Sequence, residues 1–234
     1  MKPTVLFLSC EHAVNHVPSP YLRLFQQHEA LLETHRAIDF GALDIALSLS
    51  QTFSCELVTA SVSRLLIDCN RSLTSPNCFS ELTIDLATVE KQKLIDLYYL
   101  PYRTRCEALI KNHIERGHQV LHLSVHSFTP VFKNITRNAC VGLLYDPKRH
   151  GEKEVARLWH GLLSHETPPY RVRMNYPYRG TSDGFTSALR KQYSQKDYLG
   201  MELEINQALV KNKESIDTMA DFLSRSIKEL LLLL

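Results

Sequence analysis

The sequence has little net charge of either sign, no long apolar run and no closely spaced pair of cysteines. Lysine and arginine total 27 and aspartate and glutamate total 25, so the formal net charge is +2. A charge so near zero produces no field that would favour nucleic acid or an anionic membrane. The first apolar run is too short for a signal peptide or a membrane span. We therefore expect a cytoplasmic protein without a nucleic-acid or membrane partner.

The six cysteines are dispersed and form no CxxC pair. In a chain with no secretion signal, this pattern indicates reduced, buried thiols and not a disulfide framework. Cys10 stands beside candidate site residues, and we interpret it as a small buried hydrophobic side chain. The chain also lacks internal repeats, low-complexity stretches and linkers. We therefore predict one domain over residues 1–234.

Short apolar runs alternate with helical patterns along the chain. The runs predict strands at 5–8, 55–59, 64–68, 120–125, 139–145, 170–174 (an edge strand) and 201–205. Periodic apolar stripes predict helices at 21–33, 38–50, 87–117, 152–164 and 214–234. A loop rich in Ser, Thr, Pro and Asn covers 72–85 and is placed to cover a site. This alternation predicts an α/β fold with a mixed, mostly parallel central sheet and helices on both faces.

The helical tract 87–117 contains Pro101, which must kink or divide it because proline lacks the N–H that an inner helical turn needs. Gly117 is a plausible end of the tract. Its apolar spacing predicts core positions at Leu94, Leu97, Leu109 and Ile114.

Unusual polar side chains collect where several predicted strands end. These residues are Glu11 and His12, then Arg64, Asp68 and Arg71, then His126, and finally Glu202 and Glu204. Burying such groups is costly unless they are paired or bind something. The carboxyl ends of strands are also where open α/β sheets place their sites. These segments are therefore candidates for one shared site.

Two histidines and a carboxylate from separate segments are the ligand set of a catalytic zinc site with one open position. His12, His126 and Asp39 supply such a set, although no compact motif such as HExxH is present. Asp39 has an alternative role, because an acidic residue is favourable in the first turn of the helix predicted at 38–50. Arg64 and Arg71 present planar forks that suit a substrate carboxylate. An ion pair of either arginine with Asp68 is the structural alternative.

Several segments together resemble the N-formylglutamate amidohydrolase family, in the family's order from residue 5 to about 210. They are SCEH at 9–12, HRAIDFGA at 35–42, SRLLIDCNR at 63–71, HSFTP at 126–130, GLLYD at 142–146, NYPY at 175–178 with DG at 183–184, and ELEINQ at 202–207. Each is weak alone, and their combination is specific. The resemblance implies a fold like that of the zinc carboxypeptidases.

The resemblance also implies an activity, hydrolysis of N-formyl-L-glutamate to formate and L-glutamate by zinc-activated water. One zinc ion per chain is expected, and the partner is a small-molecule substrate. His12 and His126 match the metal histidines, and Asp39 matches the acidic third ligand. The wider fold's His-x-x-Glu motif is absent, so Glu11 or Asn15 is an alternative third ligand.

The remaining site residues also follow from the resemblance. Glu204 matches the catalytic glutamate, which acts as general base. Asn70 and Arg71 match a pair that holds a substrate carboxylate, and Arg64 is a second candidate for that role.

The sequence departs from many relatives at 186–191, where a histidine that they carry is missing. This departure concerns the substrate and not the family. One alternative is a peptidase or deacylase on the same scaffold that acts on another N-acyl substrate. A second alternative is a binding protein that holds an acidic ligand with its arginines and cleaves nothing.

Overall fold

The computed structural model of the protein describes residues 2–166 and 170–234. Its strands are β1 (Thr4–Cys10), β2 (Leu57–Thr59), β3 (Gln119–Phe128), β4 (Val131–Phe132), β5 (Ile135–Thr136), β6 (Val141–Leu144), β7 (Val172–Met174) and β8 (Tyr198–Asn206). Its α-helices are α1 (Glu29–Leu32), α2 (Ala42–Phe53), α3 (Thr88–Leu94), α4 (Leu100–Glu115), α5 (His150–His165), α6 (Phe185–Gln192) and α7 (Lys213–Leu233). Most predicted elements are present with shifted ends, and α6 and the β4–β5 hairpin were not predicted.

The central sheet has the strand order β2-β1-β3-β8-β6-β7. The pairs β1–β2, β1–β3 and β3–β8 are parallel, whereas β6 runs antiparallel to β8 and parallel to β7. The predicted mixed, mostly parallel sheet is confirmed, and β7 lies at its edge as predicted. Because β1, β3 and β8 are parallel and adjacent, their carboxyl ends meet at one edge of the sheet.

Helices cover both faces of the sheet, also as predicted. Along β3, Leu121, Leu123 and Val125 pack with residues of α2, α5 and α7 in one apolar cluster. On the opposite face, Phe7 and Val120 pack with residues of α4 and α6 in a second cluster. Since successive side chains of a strand point to opposite faces, each strand contributes to both layers.

The face covered by α4 and α6 carries the unusual polar groups near the carboxyl ends of its strands. β3 continues to Phe128, so His126 lies inside the strand and points to the same face as His122 and Ser124. Glu204 of β8 is the direct parallel neighbour of His126 in the strand register. The sheet therefore aligns two predicted site residues on adjacent strands.

The predicted strand at 64–68 is wrong. The backbone N–H groups of Leu66 and Ile67 donate to the carbonyl of Ser63, and the N–H of Leu65 donates to the Ser63 hydroxyl, so the segment is a turn. Leu65, Leu66 and Ile67 are buried in a separate apolar cluster outside the sheet. A continuous apolar run indicates burial, and here the run is buried as a compact turn instead of a strand.

The predicted helix at 21–33 is also wrong, because the segment forms a 3-10 helix at Ser19–Phe25 and then the short α1. Pro20 lies in the first piece, and its buried residues are Tyr21 and Phe25. No residue of α1 is buried. Without a continuous buried stripe, the segment gains little from forming one long helix.

Pro101 divides the tract 87–117 as predicted, and a π-helical turn at Ile95–Tyr99 separates α3 from α4. Leu94 is buried and Leu109 and Ile114 pack on the second cluster. Leu97 is 59% exposed, so its predicted core position is wrong. The π turn has more residues per turn than an α-helix, which rotates Leu97 away from the buried stripe.

All six cysteines carry free thiols. Cys10, Cys69, Cys78 and Cys106 are buried as predicted, whereas Cys55 and Cys140 are half-buried. Burial raises the pKa of the Cys10 thiol well above its ordinary value, which suits an inert packing role. As for membrane insertion, no helix within the described ranges 2–166 and 170–234 is both long and apolar enough to cross a bilayer.

We predict that Gly142→Ala destabilises the fold by about 1–3 kcal/mol, because the new methyl group would overlap the backbone carbonyl of Tyr176 and lie 3.2 Å from Cβ of Glu204. Gly161→Ala in α5 is the matched control, since its methyl group meets no atom within 4 Å. We expect the control to be stabilised by about 0.5–1 kcal/mol, because alanine favours a helix interior. Urea unfolding monitored by circular dichroism measures both, and equal stabilities of the two variants would contradict the packing at Gly142.

Candidate metal and substrate site

A cavity of about 810 Å³ opens at the carboxyl edge of β1, β3 and β8. Its lining includes every site residue predicted from the sequence: His12, Asp39, Arg64, Asn70, Arg71, His126 and Glu204. The segments that carry these residues are far apart in sequence and meet only through the parallel sheet and the turns beside it.

Asp39 lies between the two histidines. Its Oδ2 atom is 3.2 Å from Nδ1 of His12 and 2.9 Å from Nδ1 of His126. One ligand-type atom from each of the three residues lies within 4.8 Å of the others, and all three side chains are buried. The structure thus brings together the three residues predicted as metal ligands.

The alternative interpretation of Asp39, a favourable acidic residue in a first helical turn, is wrong. Helix α2 begins at Ala42 and its N-cap is Gly41, which has φ +76° and provides no side-chain cap. A glycine is required there because this φ is unfavourable for other residues and a Cβ atom would lie 2.7 Å from Val210. The turn at Gly41 and a hydrogen bond from the Asp39 N–H to the His12 carbonyl (3.1 Å) direct the carboxylate to the imidazoles.

A second carboxylate contacts the far nitrogen of each histidine. Nε2 of His12 lies 2.9 Å from Oδ1 of Asp68, and Nε2 of His126 lies 3.1 Å from Oε2 of Glu11. An imidazole that donates its Nε2–H to a carboxylate keeps the Nδ1 lone pair for a metal ion. Both histidines are therefore oriented with Nδ1 toward Asp39.

This arrangement separates Asp39 from the two alternative third ligands. The Glu11 carboxylate accepts hydrogen bonds from the hydroxyls of Ser9, Tyr102 and Ser124, on the Nε2 side of His126. Asn15 donates to the Leu32 carbonyl (2.9 Å), outside the cluster. Geometry therefore favours Asp39, and the assignment of the ligands stays a prediction.

The carboxylates of this cluster are held in their charged form. Burial alone would raise the pKa of Asp39, but the imidazoles of His12 and His126 outweigh it and hold the pKa well below its usual range. The pKa of Glu11 is lowered against the effect of burial by His126 and the neighbouring hydroxyls, and the pKa of Asp68 by His12 and Arg64. The cluster is thus a buried set of anions and imidazoles suited to a cation.

The donor set fits a zinc ion. Two imidazole nitrogens and one carboxylate oxygen are ligands of catalytic zinc sites. Atoms bound to one tetrahedral zinc ion lie about 3.3 Å apart, given zinc–ligand distances of about 2.0–2.1 Å. The contacts of 3.2 Å and 2.9 Å at Asp39 are close to that spacing. Asp68 and Glu11 supply the outer hydrogen bonds that metal-binding histidines ordinarily have.

Glu204 points into the same cavity, and its environment differs from that of the other carboxylates. Its Oε2 atom is buried and has no hydrogen-bond partner within residues 2–166 and 170–234. Burial raises the pKa of Glu204 to about 8, with His126 opposing and Asp39 and Glu202 adding to the shift. Glu202 shares this face, but its Oε1 accepts a hydrogen bond from Thr186 (2.7 Å). Glu204 is thus the carboxyl group able to exchange a proton near neutral pH.

Arg64, Asn70 and Arg71 form one wall of the cavity. Arg64 lies 3.4 Å from Oδ1 of Asp39 and 3.5 Å from Oδ2 of Asp68, and Arg71 lies 4.0 Å from Asp68. The ion pairs predicted as the structural alternative are therefore present. Each arginine side chain remains about a quarter exposed or more, so the pairs do not exhaust the guanidinium donors. The side-chain oxygen of Asn70 accepts from the N–H of Phe185 at the start of α6.

Two features of the site were not predicted from the sequence: the contact of Asp68 with His12 and the place of Tyr178 in the lining of the cavity. From the sequence, Asp68 was predicted only as an ion-pair partner of an arginine. The turn that directs it toward His12 has no periodic pattern of apolar residues by which the sequence could reveal it. Tyr178 was part of a recognised segment, NYPY, without a role. The predicted loop at 72–85 is irregular and lines the cavity through Asn77, Phe79 and Ser80.

A family model described as N-formylglutamate amidohydrolase matches residues 4–211 of this chain. The chain belongs to the N-formylglutamate amidohydrolase family. The family is one of amidohydrolases, and the match covers every segment that carries the site. No curated protein matches the sequence.

Two solved structures share the fold of this chain. A gene product of Agrobacterium tumefaciens is 29% identical with a TM-score of 0.84, and the alignment covers 97% of this chain and 90% of that one. The N-formylglutamate amidohydrolase of Ralstonia eutropha is 18% identical with a TM-score of 0.71, covering 98% of this chain and 93% of that one. The likeness extends over the whole α/β fold of this amidohydrolase family.

We predict that Asp68→Asn weakens zinc binding by about 10- to 100-fold, because the amide no longer offers a charged acceptor to Nε2 of His12. Competition with a chromogenic chelator measures the affinity without any activity assay. Glu81→Gln is the control, since Glu81 lines the same cavity but pairs with the exposed Arg36. Equal affinities of the two variants would contradict the orienting role of Asp68.

Proposed function

We propose that the protein hydrolyses the amide bond of an N-formylated acidic amino acid, with N-formyl-L-glutamate as substrate and formate and L-glutamate as products. The observation that carries this proposal is the convergence of His12, Asp39 and His126 beside Glu204 in one cavity walled by Arg64 and Arg71. Membership in the family supports hydrolysis of an amide. The arginines support an acidic substrate, because their forks match carboxylates.

His12, Asp39 and His126 would hold one zinc ion per chain. When bound, zinc supplies a Lewis acid that polarises a carbonyl and lowers the pKa of water to about 7. Asp68 and Glu11 keep the two imidazoles in the required tautomer and orientation. These residues prepare the site before substrate arrives.

Glu204 acts as the general base and then as the general acid. Its carboxylate takes a proton from the attacking water, and the new C–O bond forms at the formyl carbon. Glu204 then returns the proton to the amide nitrogen as the C–N bond breaks, so formate and the free amine leave. A pKa near neutral suits a group that must both accept and return a proton.

The arginines bind and orient the substrate. Arg71, with Asn70 beside it, would clamp a carboxylate, and fixing that end aligns the amide with Glu204. Arg64 lies beside Asp39, where its positive charge also stabilises the negative charge that develops on the carbonyl oxygen. Removing any of these groups is expected to affect orientation as well as affinity.

A larger N-acyl group is the second candidate, and the size of the cavity favours it. A volume of about 810 Å³ falls in the range of about 300–1,000 Å³ that holds drug-sized ligands. Formylglutamate is smaller than such ligands. A screen of N-formyl, N-acetyl and longer N-acyl glutamates separates the two candidates by their kcat/KM values.

We predict about one zinc ion per chain in the purified protein and its loss in His12→Ala and His126→Ala, because each variant removes one of three protein ligands. His113→Ala is the control, since His113 contacts Glu56 outside the cavity. Inductively coupled plasma mass spectrometry gives the metal content. A metal-free protein that takes up no added zinc would undercut the hydrolase and favour a binding protein for acidic ligands.

We predict that Glu204→Gln keeps zinc and lowers kcat by about 100- to 10,000-fold, because the amide cannot accept the proton of water. Glu202→Gln lies two positions away on the same face, and its amide oxygen can still accept from Thr186. We expect a much smaller loss in this control. Full activity of Glu204→Gln would exclude it as the base, and a larger loss in Glu202→Gln would transfer the role to Glu202.

A further inference from the structure

Arg137 is a buried arginine without an anionic partner. Its exposed fraction is 8%, and no carboxylate lies within ion-pair distance of it among residues 2–166 and 170–234. Nη1 has two long contacts, to the Tyr178 hydroxyl at 3.3 Å and the Thr129 hydroxyl at 3.4 Å. Within the described chain, Nε and Nη2 donate no hydrogen bond. Donors that have no protein partner favour an acceptor from solvent or from a bound ligand.

Other arginines in the interior are treated differently. Arg149 and Arg190 both contact the fully buried Glu152 at 3.0 Å. Arg103 donates to the backbone carbonyls of Cys69, Asn70 and Arg71. The fold thus satisfies these charges from within, and Arg137 stands apart.

The aromatic neighbours of Arg137 line the cavity, and Arg137 itself lies next to this lining without belonging to it. Its Cζ lies 4.6 Å from the ring centre of Phe132, 5.1 Å from that of Tyr178 and 5.9 Å from that of Phe128. All three rings line the cavity. Cation–π contacts hold the guanidinium plane but leave its N–H groups free to bind an anion.

The backbone of Arg137 is fixed independently of its charge. Its N–H donates to the Pro130 carbonyl at 2.7 Å, and Asn206 donates to its carbonyl at 3.2 Å. These bonds close the β4–β5 hairpin and connect it to the end of β8. The side chain is therefore positioned in advance, and the hairpin does not need the positive charge.

Distance along β3 relates Arg137 to the metal ligands. Phe128 lies two residues after His126 and on the same face of the strand, so it is about 7 Å farther along. Suppose that the amide of the substrate lies at His126 and Glu204 and that its side chain extends along β3. The end of that side chain would then lie near Arg137 and the aromatic rings around it. In N-formylglutamate that far end is the side-chain carboxylate.

We propose that Arg137 binds the side-chain carboxylate of the substrate and so selects an acidic over a neutral amino acid. This inference rests on the proposed function and adds a specificity residue to it. Arg71 and Asn70 would then hold the carboxylate next to the amide. The aromatic rings around Arg137 strengthen the new ion pair by excluding water from it.

Comparison of N-formyl-L-glutamate with N-formyl-L-glutamine tests the proposal, because the two have nearly the same size and shape but end in a carboxylate and in a neutral amide, respectively. In Arg137→Met, kcat/KM for the glutamate substrate should fall by about 100-fold and that for the glutamine substrate by less than about threefold. For the glutamate substrate, kcat/KM of Arg137→Lys should lie between that of the wild type and that of Arg137→Met, since lysine keeps the positive charge but lacks the planar fork of the guanidinium. If Arg137 had only a structural role, its replacement would lower kcat/KM for both substrates by the same factor. That result would overturn the proposal.

Arg173→Met is the matched control. Arg173 is an exposed residue of the edge strand β7, and its Cζ lies 4.2 Å from the centre of the Tyr176 ring. It should leave the ratio of the two substrates unchanged. If Arg137→Met does not fold, an unchanged ratio in Arg137→Lys overturns the proposal and a lowered ratio supports it. Circular dichroism and thermal melts identify a folding defect.

Failure of the proposed function is distinguishable from failure of this inference. If wild-type protein cleaves neither formylated substrate, the proposed function fails. Calorimetric binding of glutarate then tests Arg137 directly on the same protein. Weaker binding to Arg137→Met than to Arg173→Met supports the anion site, and equal binding, or none to wild type, overturns it.

Discussion

The carboxylate of Asp39 between two buried imidazoles is the interaction on which the rest of the site depends. One oxygen atom lies near Nδ1 of both His12 and His126, and all three side chains are buried. Each charged or polar group must therefore be satisfied by another side chain or by a bound cation. Asp68 and Glu11 contact Nε2 of the two histidines. The Nδ1 atoms therefore remain as the positions that could bind a cation, and both lie next to Asp39.

The two faces of the sheet differ: one is apolar at its centre, and the other carries the polar residues of the site. One face is an apolar layer formed with α2, α5 and α7, which packs without polar exceptions along the centre of β3. The other face begins apolar, with Phe7 and Val120, and becomes polar toward the carboxyl ends. Burial of the first layer keeps the strands in register. That register in turn places Glu204 beside His126.

We expect irregular segments around this centre to determine the choice of substrate. The turn at 63–71, the loop at 72–85, the segment around Tyr178 and the β4–β5 hairpin form the walls of the cavity. Such segments vary in shape at little cost to the core, whereas the proposed metal ligands lie on or next to strands. The arginines in and next to these walls differ in their partners. Arg64 and Arg71 neutralise Asp68, and Arg137 has no anion among the described residues.

The sequence by itself determined the fold class, most of the elements and seven of the residues that line the cavity. It could do so because buried strands and amphipathic helices have distinct periods, and because charged groups next to apolar strands are costly without a partner. Only the tertiary structure decided that 64–68 is a turn, that Asp39 lies before the helix with its carboxylate between the two imidazoles, and that Asp68 contacts His12. Each of these depends on contacts between residues distant along the chain, and no local period of the sequence records such contacts.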